Sequence, residues 1–290
     1  MNIPKKWAPT VSRLCDASFC SPERVRRQAV RGSGTVPCSE AISVAISHYN
    51  RGRSAHRPLC NLLDNEFIRE VVFFDDGSQP EELAGLGEFV ASLGVGDKIR
   101  IEGRRDNRGA QTTKLDAVAA CRCEWVLVLD SDNTVFRSYL HALRRIPARC
   151  PEAIYGSPFA FPYFSFHPFA GRKLDFEACA ELTRDGVLRR VLIINDGNYL
   201  VHRDTYLRRI GPLRALRSDV ADVMLANYLW LSEGGFLQVL ESGSYHHRID
   251  GSSFWMRTAG ESRERVMELF SRFAANSRWD EPFAEKCLRT

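Results

Sequence analysis

The sequence predicts an α/β fold in which a mainly parallel sheet is flanked by helices. Four segments, at residues 41–47, 70–74, 98–102 and 125–129, are predicted strands, and the last of them is an uninterrupted apolar run that suits a strand buried on both faces. Segments with helical spacing separate them, and this alternation is typical of parallel α/β sheets. Each strand ends in polar residues. Because ligands of open α/β sheets bind at the carboxyl edge of the strands, we expect these polar residues to form one site.

The other elements follow from the same periodicities. In the first half they are a helix-like stretch at 59–67 and helices at 81–93 and 110–120. The second half predicts helices at 136–145 and 179–189, strands at 191–194 and 199–202, and a helix that starts near 219 and runs to about 231.

Composition and charge exclude several classes of protein. With 290 residues, 44% of them hydrophobic, the chain can bury a large core. The net charge of +4 does not indicate a nucleic-acid-binding protein, but it suits an anionic small ligand. No apolar segment reaches the roughly 18 residues that span a bilayer, and no secretory signal is visible. The nine cysteines lack zinc or redox spacing, so we expect reduced thiols and a cytoplasmic protein.

The segment EWVLVLDSDN, at residues 124–133, carries the clearest chemical signal. Asp130 and Asp132 follow the fourth strand with one residue between them, so both side chains can point the same way. Two carboxylates that converge at the end of a buried strand need a cation or a ligand between them. We therefore expect a metal site for a phosphorylated ligand. An acidic turn after a core strand is the plain alternative.

Four polar motifs follow the four strands in a fixed order. They are His48-Tyr49-Asn50-Arg51, Asp75-Asp76-Gly77-Ser78, Asn107-Arg108-Gly109 and Asp130-Ser131-Asp132. In this order and spacing they resemble the motifs of family 2 glycosyltransferases, which have the Rossmann-like GT-A fold and use a nucleoside-diphosphate sugar. The resemblance covers residues 40–135 well and 190–255 more loosely. It implies a mixed, mainly parallel sheet in a single catalytic domain.

On the donor side, the resemblance implies a role for each motif. The loop with His48, Tyr49, Asn50 and Arg51 and the turn with Asp75 and Asp76 would hold the nucleoside, Asp76 bonding the base. Asn107 and Lys114 would belong to the donor pocket. Asp130, Ser131 and Asp132 would hold the diphosphate and a Mn²⁺ or Mg²⁺ ion. UDP is the expected nucleotide.

On the acceptor side, the resemblance implies that Gly197 and Asn198 form a turn under the acceptor. Asp222 would be the general base. Asp219 remains a second candidate for the base, because Ala221 stands where the family usually has Glu. Helix capping is the structural alternative for either carboxylate.

The last strand of the domain is followed by two histidines and an arginine. By the resemblance, His246 or His247 would complete the metal shell, and Arg248 can meet phosphate oxygens. The aromatic segment SPFAFPYFSFHPF, at 157–169, fits either an acceptor groove or a packed loop. The acceptor, whether glycan, lipid or protein, stays open, and base-driven displacement implies inversion at the anomeric carbon.

The expected domain limits are a basic extension at 1–38, the catalytic domain at 39–258 and a helical tail at 259–290. Within the domain, residues 39–135 would bind the nucleotide sugar and residues 136–258 the acceptor. The extension reads as a solvated arm or as a peripheral contact with the inner membrane surface.

Two other functions fit part of the sequence. A haloacid-dehalogenase-type phosphatase would use Asp130 as nucleophile, Asp132 as acid, Thr134 for phosphate and residues 195–197 as the distal acidic loop. That alternative leaves the three upstream strand motifs unexplained. A non-catalytic nucleotide- or glycan-binding module on the same fold is the second alternative.

Overall fold

The computed structural model describes residues 20–31, 40–249 and 258–289. Predictions for residues 1–19, 32–39, 250–257 and 290, including most of the basic extension, lie outside the described residues. In the described ranges no helix has the length and apolar character needed to cross a membrane.

The strands of the described residues are numbered in chain order. They are β1 (Ile42–His48), β2 (Ile68–Asp76), β3 (Ile99–Arg104), β4 (Trp125–Asp130), β5 (Thr134–Val135), β6 (Ala153–Gly156), β7 (Phe159–Phe161), β8 (Phe164–Ser165), β9 (Lys173–Leu174), β10 (Leu200–His202), β11 (Phe236–Val239) and β12 (Tyr245–His246).

The α-helices are numbered in the same way. They are α1 (Pro22–Arg31), α2 (His56–Leu59), α3 (Pro80–Ala91), α4 (Ala110–Ala120), α5 (Arg137–Arg144), α6 (Phe176–Arg184), α7 (Val187–Val191), α8 (Arg203–Ile210), α9 (Asp222–Ser232), α10 (Ala259–Ala274) and α11 (Glu281–Cys287).

A central sheet of eight strands confirms the predicted fold class. Its order is β3-β2-β1-β4-β10-β6-β11-β9. The β1–β4 block is parallel throughout, β6 and β11 are parallel, and β10 runs antiparallel to both β4 and β6. Apolar side chains of β1 and β4 are buried on both faces, which explains why these strands are continuous apolar runs rather than alternating ones.

Strand register brings the polar motifs to one edge of the sheet. Ser47 of β1 lies opposite Asp130 of β4, and His48 lies opposite Asp75 of β2. Asp76 lies opposite Arg104 at the end of β3. Because these strands are parallel, their carboxyl ends meet at this edge. The polar motifs at the ends of β1, β2 and β4 therefore share one edge of the sheet.

A smaller sheet covers this edge from the second half of the chain. Its strand order is β5-β12-β7-β8. Strand β5 follows the two aspartates directly, and its Thr134 lies opposite His246 of β12. On its other side β12 pairs with β7, which belongs to the aromatic segment. The small sheet therefore joins the end of β4 to the histidine pair and to the aromatic segment.

Two predicted elements of the second half are wrong. The strand expected at 191–194 is instead the end of α7 followed by a short 3₁₀ helix, Ile193–Asn195. Leu192 has a φ of 55°, which breaks any extended path. The single helix expected at 179–189 is two helices, α6 and α7, separated at Gly186, whose φ is 69°. The helix-like stretch at 59–67 contains only the end of the short α2 and then turns.

Part of the N-terminal extension packs on the domain instead of forming a solvated arm. Helix α1 buries Val25 and Ala29, and its Arg24 donates to Asn61 at 3.0 Å. At the other end of the chain, α10 buries Phe270 and Phe273. Both terminal helices therefore contribute to the core.

Candidate functional site

The centre of the sheet edge is a buried lysine between two carboxylates. Lys114 Nζ lies 3.0 Å from Asp222 Oδ2 and 3.6 Å from Asp130 Oδ1. Burial alone would lower the pKa of Lys114, but the charges of Asp222 and Asp130 more than offset it and raise that pKa above its ordinary value. Helix α4 provides Lys114, β4 provides Asp130 and α9 provides Asp222. The protonated amine thus links the predicted donor and acceptor sides.

Asp132 is held by a second cation, Arg51 from the loop after β1. Only 13% of the Asp132 side chain is exposed. Burial raises the pKa of Asp132, and the guanidinium of Arg51 partly offsets that effect. The loop after the first strand and the D-x-D turn are therefore in contact, as the resemblance implies.

The two histidines differ in their surroundings. The ring of His246 packs against Phe161, with centroids 6.2 Å apart. The negative charges of Asp130 and Asp132 both act on the His247 ring. Its buried Nδ1 has no hydrogen-bond partner. Burial lowers the pKa of His247, which favours the neutral imidazole that binds metals. Between the two, His247 is the better metal ligand.

A divalent cation fits the chemistry of these side chains. Asp130, Asp132 and His247 offer oxygen and nitrogen ligands that suit Mn²⁺ or Mg²⁺, and the orphaned Nδ1 needs a partner. Within the ranges that the structure describes, however, no group of three or more His, Cys, Asp or Glu residues is assembled as a metal site. Both carboxylates are instead paired with Arg51 and Lys114.

The two candidates for the general base occupy different environments. Asp219 accepts hydrogen bonds from the backbone amides of Ala110, at 2.9 Å, and Gln111, at 3.2 Å. It therefore caps the start of α4, a structural role that the sequence left open. Asp222 is the first residue of α9, and its carboxylate accepts from Lys114 Nζ at 3.0 Å.

The loop after β1 is fastened to the turn after β2. His48 Nδ1 lies 2.9 Å from Asp75 Oδ1, and Ser78 N donates to Asp75 Oδ2 at 2.9 Å. Burial works against the charge of Asp75, yet the hydrogen bonds from His48 and Ser78 hold its pKa below the ordinary value. Asn50 accepts from Gln79 N at 2.8 Å. These hydrogen bonds fix the loop that carries the exposed ring of Tyr49.

Asp76 is buried and already has three donors. It accepts from Arg104 Nε at 2.7 Å, from Arg108 N at 2.9 Å and from Gly109 N at 3.0 Å. Its predicted bond to a nucleobase would have to be made beside these contacts. The neighbouring Asn107 accepts from Gly109 N at 3.1 Å, so it shapes the turn into α4.

The turn at 195–198 lies directly under the D-x-D loop. Asn198 Oδ1 accepts from Asp130 N at 3.1 Å. Gly197 is needed because a Cβ there would lie 3.0 Å from Val223 on α9. Ser131 is buried, and Arg248 N donates to Asn133 at 3.0 Å. The predicted residues of the second half thus surround the end of β4.

Asp196 is a residue of this region that sequence reasoning placed only in the phosphatase alternative. Its Oδ1 accepts from Asn198 N at 3.1 Å and from Tyr245 OH at 3.0 Å. Burial raises the pKa of Asp196 to about 7. The sequence signal that could have found it is the polar run Asn195–Asn198 after a buried apolar segment.

A cavity of about 460 Å³ lies elsewhere, lined by Phe67, Trp125 and Arg149 among others. Trp125 begins β4 and Phe67 precedes β2, so this cavity is at the amino edge of the sheet. It is separated from the carboxylate cluster by the length of the strands.

Comparison with known proteins identifies the class of site. A family model described as Glycosyl transferase family 2 matches residues 43–210, more than half of the chain. The succinoglycan biosynthesis protein ExoO of Rhizobium meliloti (strain 1021) is 28% identical over 224 residues. That match covers 73% of this chain and 62% of ExoO, so the chain spans under two thirds of this relative. The family match includes Asp130 and the strands before it, and the phosphatase alternative is therefore wrong.

Solved structures with the same fold include TarS residues 1–349 of S. aureus. The complex with UDP-GlcNAc has a TM-score of 0.54 at 17% identity and covers 84% of this chain and 69% of TarS. The structure of GalNAc-T7 with UDP, GalNAc and Mn²⁺ has a TM-score of 0.55 at 14% identity, over 81% of this chain and 50% of that one. At such identities the likeness shows the fold alone.

Proposed function

The chain belongs to glycosyl transferase family 2 and is a glycosyltransferase, and from this premise we propose that it moves a sugar from a UDP-sugar to an acceptor hydroxyl with inversion. The observation that supports this most is the contact of Lys114 with both Asp130 and Asp222. That contact joins the end of β4, the proposed donor position, to the start of α9, the proposed base position, through a single lysine side chain.

On the donor side, the charges match a diphosphate. The D-x-D carboxylates are held by Lys114 and Arg51, two cations that can turn to phosphate oxygens when a ligand enters. Asp130, Asp132 and His247 would hold the Mn²⁺ or Mg²⁺ ion, which when bound neutralises charge on the leaving diphosphate. The exposed ring of Tyr49, 44% accessible, would stack on the nucleobase.

On the acceptor side, Asp222 would take the proton of the attacking hydroxyl. It begins α9 and lies beside the 195–198 turn, since a Cβ at Gly197 would lie 3.0 Å from the neighbouring Val223. Asp219 is less suited to this task, since its oxygens accept from two backbone amides at the start of α4. In-line attack by a hydroxyl that Asp222 orients would invert the anomeric centre.

For the acceptor groove we propose the aromatic rings next to His246 and His247. The centroid of the Phe164 ring lies 5.4 Å from that of His247, and Phe159 and Phe161 are half-buried neighbours on β7. Ring faces of this kind stack on sugar rings, so a glycan acceptor suits the groove better than a peptide does.

Helix α1 provides a surface for a peripheral membrane contact. Its outward face carries Arg26, Arg27 and Arg31 beside Val30, which is 86% exposed. Each basic residue near an anionic surface contributes about 1 kcal/mol. Three arginines would give weak, salt-sensitive binding to anionic lipid vesicles, which sedimentation in low and high salt would measure.

A panel of nucleotide sugars, scored by thermal shift with and without Mn²⁺, tests the proposed function. A ligand that binds only the native state raises its melting temperature. We expect UDP-sugars with Mn²⁺ to give the largest shift and the same ligands to support slow sugar release. A panel without any shift, in a chain that also transfers no sugar, would refute the proposal.

A further inference from the structure

We infer that Asp196 is a positioning residue that holds the D-x-D loop and the histidine-bearing strand in one arrangement. This deepens the proposed function and, for its kinetic consequences, rests on it. The Asp196 carboxylate acts through the two groups that it accepts hydrogen bonds from, Asn198 N and Tyr245 OH. Its side chain is buried, with 4% of the residue exposed.

The first connection runs from Asp196 to the D-x-D loop. Asp196 Oδ1 accepts from Asn198 N at 3.1 Å, which fixes the orientation of Asn198. The side-chain oxygen of Asn198 then accepts from Asp130 N at 3.1 Å and from Asn133 Nδ2 at 3.2 Å. Asn133 also donates to Asp130 Oδ2 at 3.3 Å. The backbone and the carboxylate of Asp130 are therefore both fixed through Asn198.

The second connection runs from Asp196 to β12. The same Oδ1 accepts from Tyr245 OH at 3.0 Å, and Tyr245 is fully buried two residues before His247. The chain then returns to the loop, because Arg248 N donates to Asn133 Oδ1 at 3.0 Å. One carboxylate oxygen thus links the two segments that carry the proposed ligands of the metal and the diphosphate.

The turn that carries Asp196 is held from beneath. Asn227 of α9 donates to the carbonyl oxygens of Ile194, at 2.8 Å, and Asp196, at 2.9 Å. Tyr139 OH donates to the carbonyl oxygen of Asn198 at 2.9 Å. The Asp196 backbone is therefore fixed independently of its side chain, so side-chain variants can test the side chain alone.

A purely structural role explains this carboxylate poorly. Its Oδ2 is buried without a hydrogen-bond partner, which costs free energy that an apolar residue would avoid. Burial raises the pKa of the group to about 7, in keeping with that cost. We attribute the carboxylate at this position to its effect on the geometry of the site, which offsets the cost of the unpartnered oxygen. The carboxylate fixes two loops that would otherwise be joined only through backbone contacts.

Hydrogen exchange tests the inference without any need for turnover. Asp196→Ala removes the acceptor for both Asn198 N and Tyr245 OH, whereas Asp196→Asn keeps one oxygen that can accept them. Tyr245→Phe removes one of the two bonds without changing volume. The matched control is Tyr155→Phe, which loses a single part-buried bond, from Cys150 N to Tyr155 OH at 2.7 Å, and leaves the bonds of the Asp196 side chain in place.

We expect the amide of Asp130 to exchange about ten-fold faster in Asp196→Ala and Tyr245→Phe, as the loss of one hydrogen bond implies. Asp196→Asn should restore most of the protection, and Tyr155→Phe should leave it unchanged. If Asp196→Ala fails to fold, the exchange rate of the Asp130 amide in Tyr245→Phe still tests the inference. Equal protection of Asp130 in Tyr245→Phe and Tyr155→Phe would overturn the inference.

Steady-state kinetics of the same variants test the part of the inference that rests on the proposed function. In Tyr245→Phe, kcat should fall about ten-fold with KM for the UDP-sugar nearly unchanged, because misplacing Asp130 weakens the transition state more than the ground state. A parallel fall in Tyr155→Phe would contradict a positioning role. If the wild-type chain uses no nucleotide sugar, the proposed function fails, while the exchange result still decides the role of Asp196.

Discussion

The carboxylates at the sheet edge form two groups that differ in what holds them. Asp76 and Asp219 accept hydrogen bonds from backbone amides at or just before the start of α4, over distances of 2.9 to 3.2 Å, and Asp76 also accepts from Arg104 Nε. The other group, Asp130, Asp132 and Asp222, is held by the side chains of two cations. Backbone amides are held in place by the path of the chain, whereas side-chain cations can turn and exchange a carboxylate for a ligand.

We propose that the amide-held carboxylates are structural and that the cation-held carboxylates take part in the reaction. Removing a member of the amide-held group should lower the free energy of unfolding and disturb turnover only indirectly. Removing a member of the cation-held group should abolish or slow the reaction and leave the fold nearly intact.

The largest effect is expected for Asp132→Ala. The substitution removes a carboxylate that would hold the metal and the diphosphate, so sugar transfer should fall by about 10³-fold or more. The melting temperature should change little, because the partner of Asp132, Arg51, is a quarter exposed and can turn to water. Transfer assays and thermal unfolding of the same preparation measure both. Retained activity would end the proposed metal and donor role of Asp132.

Asp222→Asn should lower kcat by about 10²- to 10⁴-fold, the range typical for loss of a general base. The affinity for the UDP-sugar should stay close to that of the wild type, since the amide preserves the shape of the side chain. Steady-state kinetics separate the two quantities. Asp219→Asn is the matched control, and a larger loss of kcat in that variant would move the base to Asp219.

The pH dependence of stability should report on Asp196. Its folded pKa of about 7 lies above the ordinary value of 3.8, so the folded chain binds this proton more tightly than the unfolded chain does. The charged carboxylate therefore costs stability above about pH 7, and this cost disappears as the pH falls toward 4. Asp196→Asn has no such titration, so its stability relative to the wild type should be highest at pH 8 and lower at pH 5. Urea unfolding at both values measures the difference, and equal differences would contradict it.

The smallest effect is expected for Asp219→Ala. Loss of the cap at the start of α4 should lower the free energy of unfolding by about 1 kcal/mol. The backbone amides of Ala110 and Gln111 would lose their charged acceptor, but Lys114 and Asp222 keep their contact. Chemical denaturation gives the stability change, and kcat should stay within a few-fold of the wild type. A stable but inactive variant would place Asp219 in the chemistry.

The first half of the fold could be predicted from the sequence because its signals are local. Strands β1, β2 and β4 are rich in buried apolar residues, and a polar motif lies at or just after the end of each of the four strands. Parallel pairing then places Asp130 and Asp75 at one edge without further information. Helix α4 has the predicted limits, and so Lys114 could be placed on it.

The rest could not be predicted, because it depends on contacts between distant parts of the chain. The cap that Asp219 forms on α4 joins residues 109 positions apart, and no local pattern marks it. The apolar run at 191–194 has the composition of a strand, but the left-handed Leu192 ends that path. Short apolar runs do not distinguish strand from helix by periodicity. For this reason Asp196, which follows the run, was not recognised as part of the site.

The measurement that tests the account most directly is the calorimetric titration of UDP into the wild type and Asp132→Ala, each with and without Mn²⁺. We expect Mn²⁺ to strengthen UDP binding to the wild type. In Asp132→Ala, which should remain folded, Mn²⁺ should not increase the affinity for UDP. Equal, Mn²⁺-enhanced binding to both proteins would contradict it, because the carboxylates after β4 would then hold neither the cation nor the diphosphate.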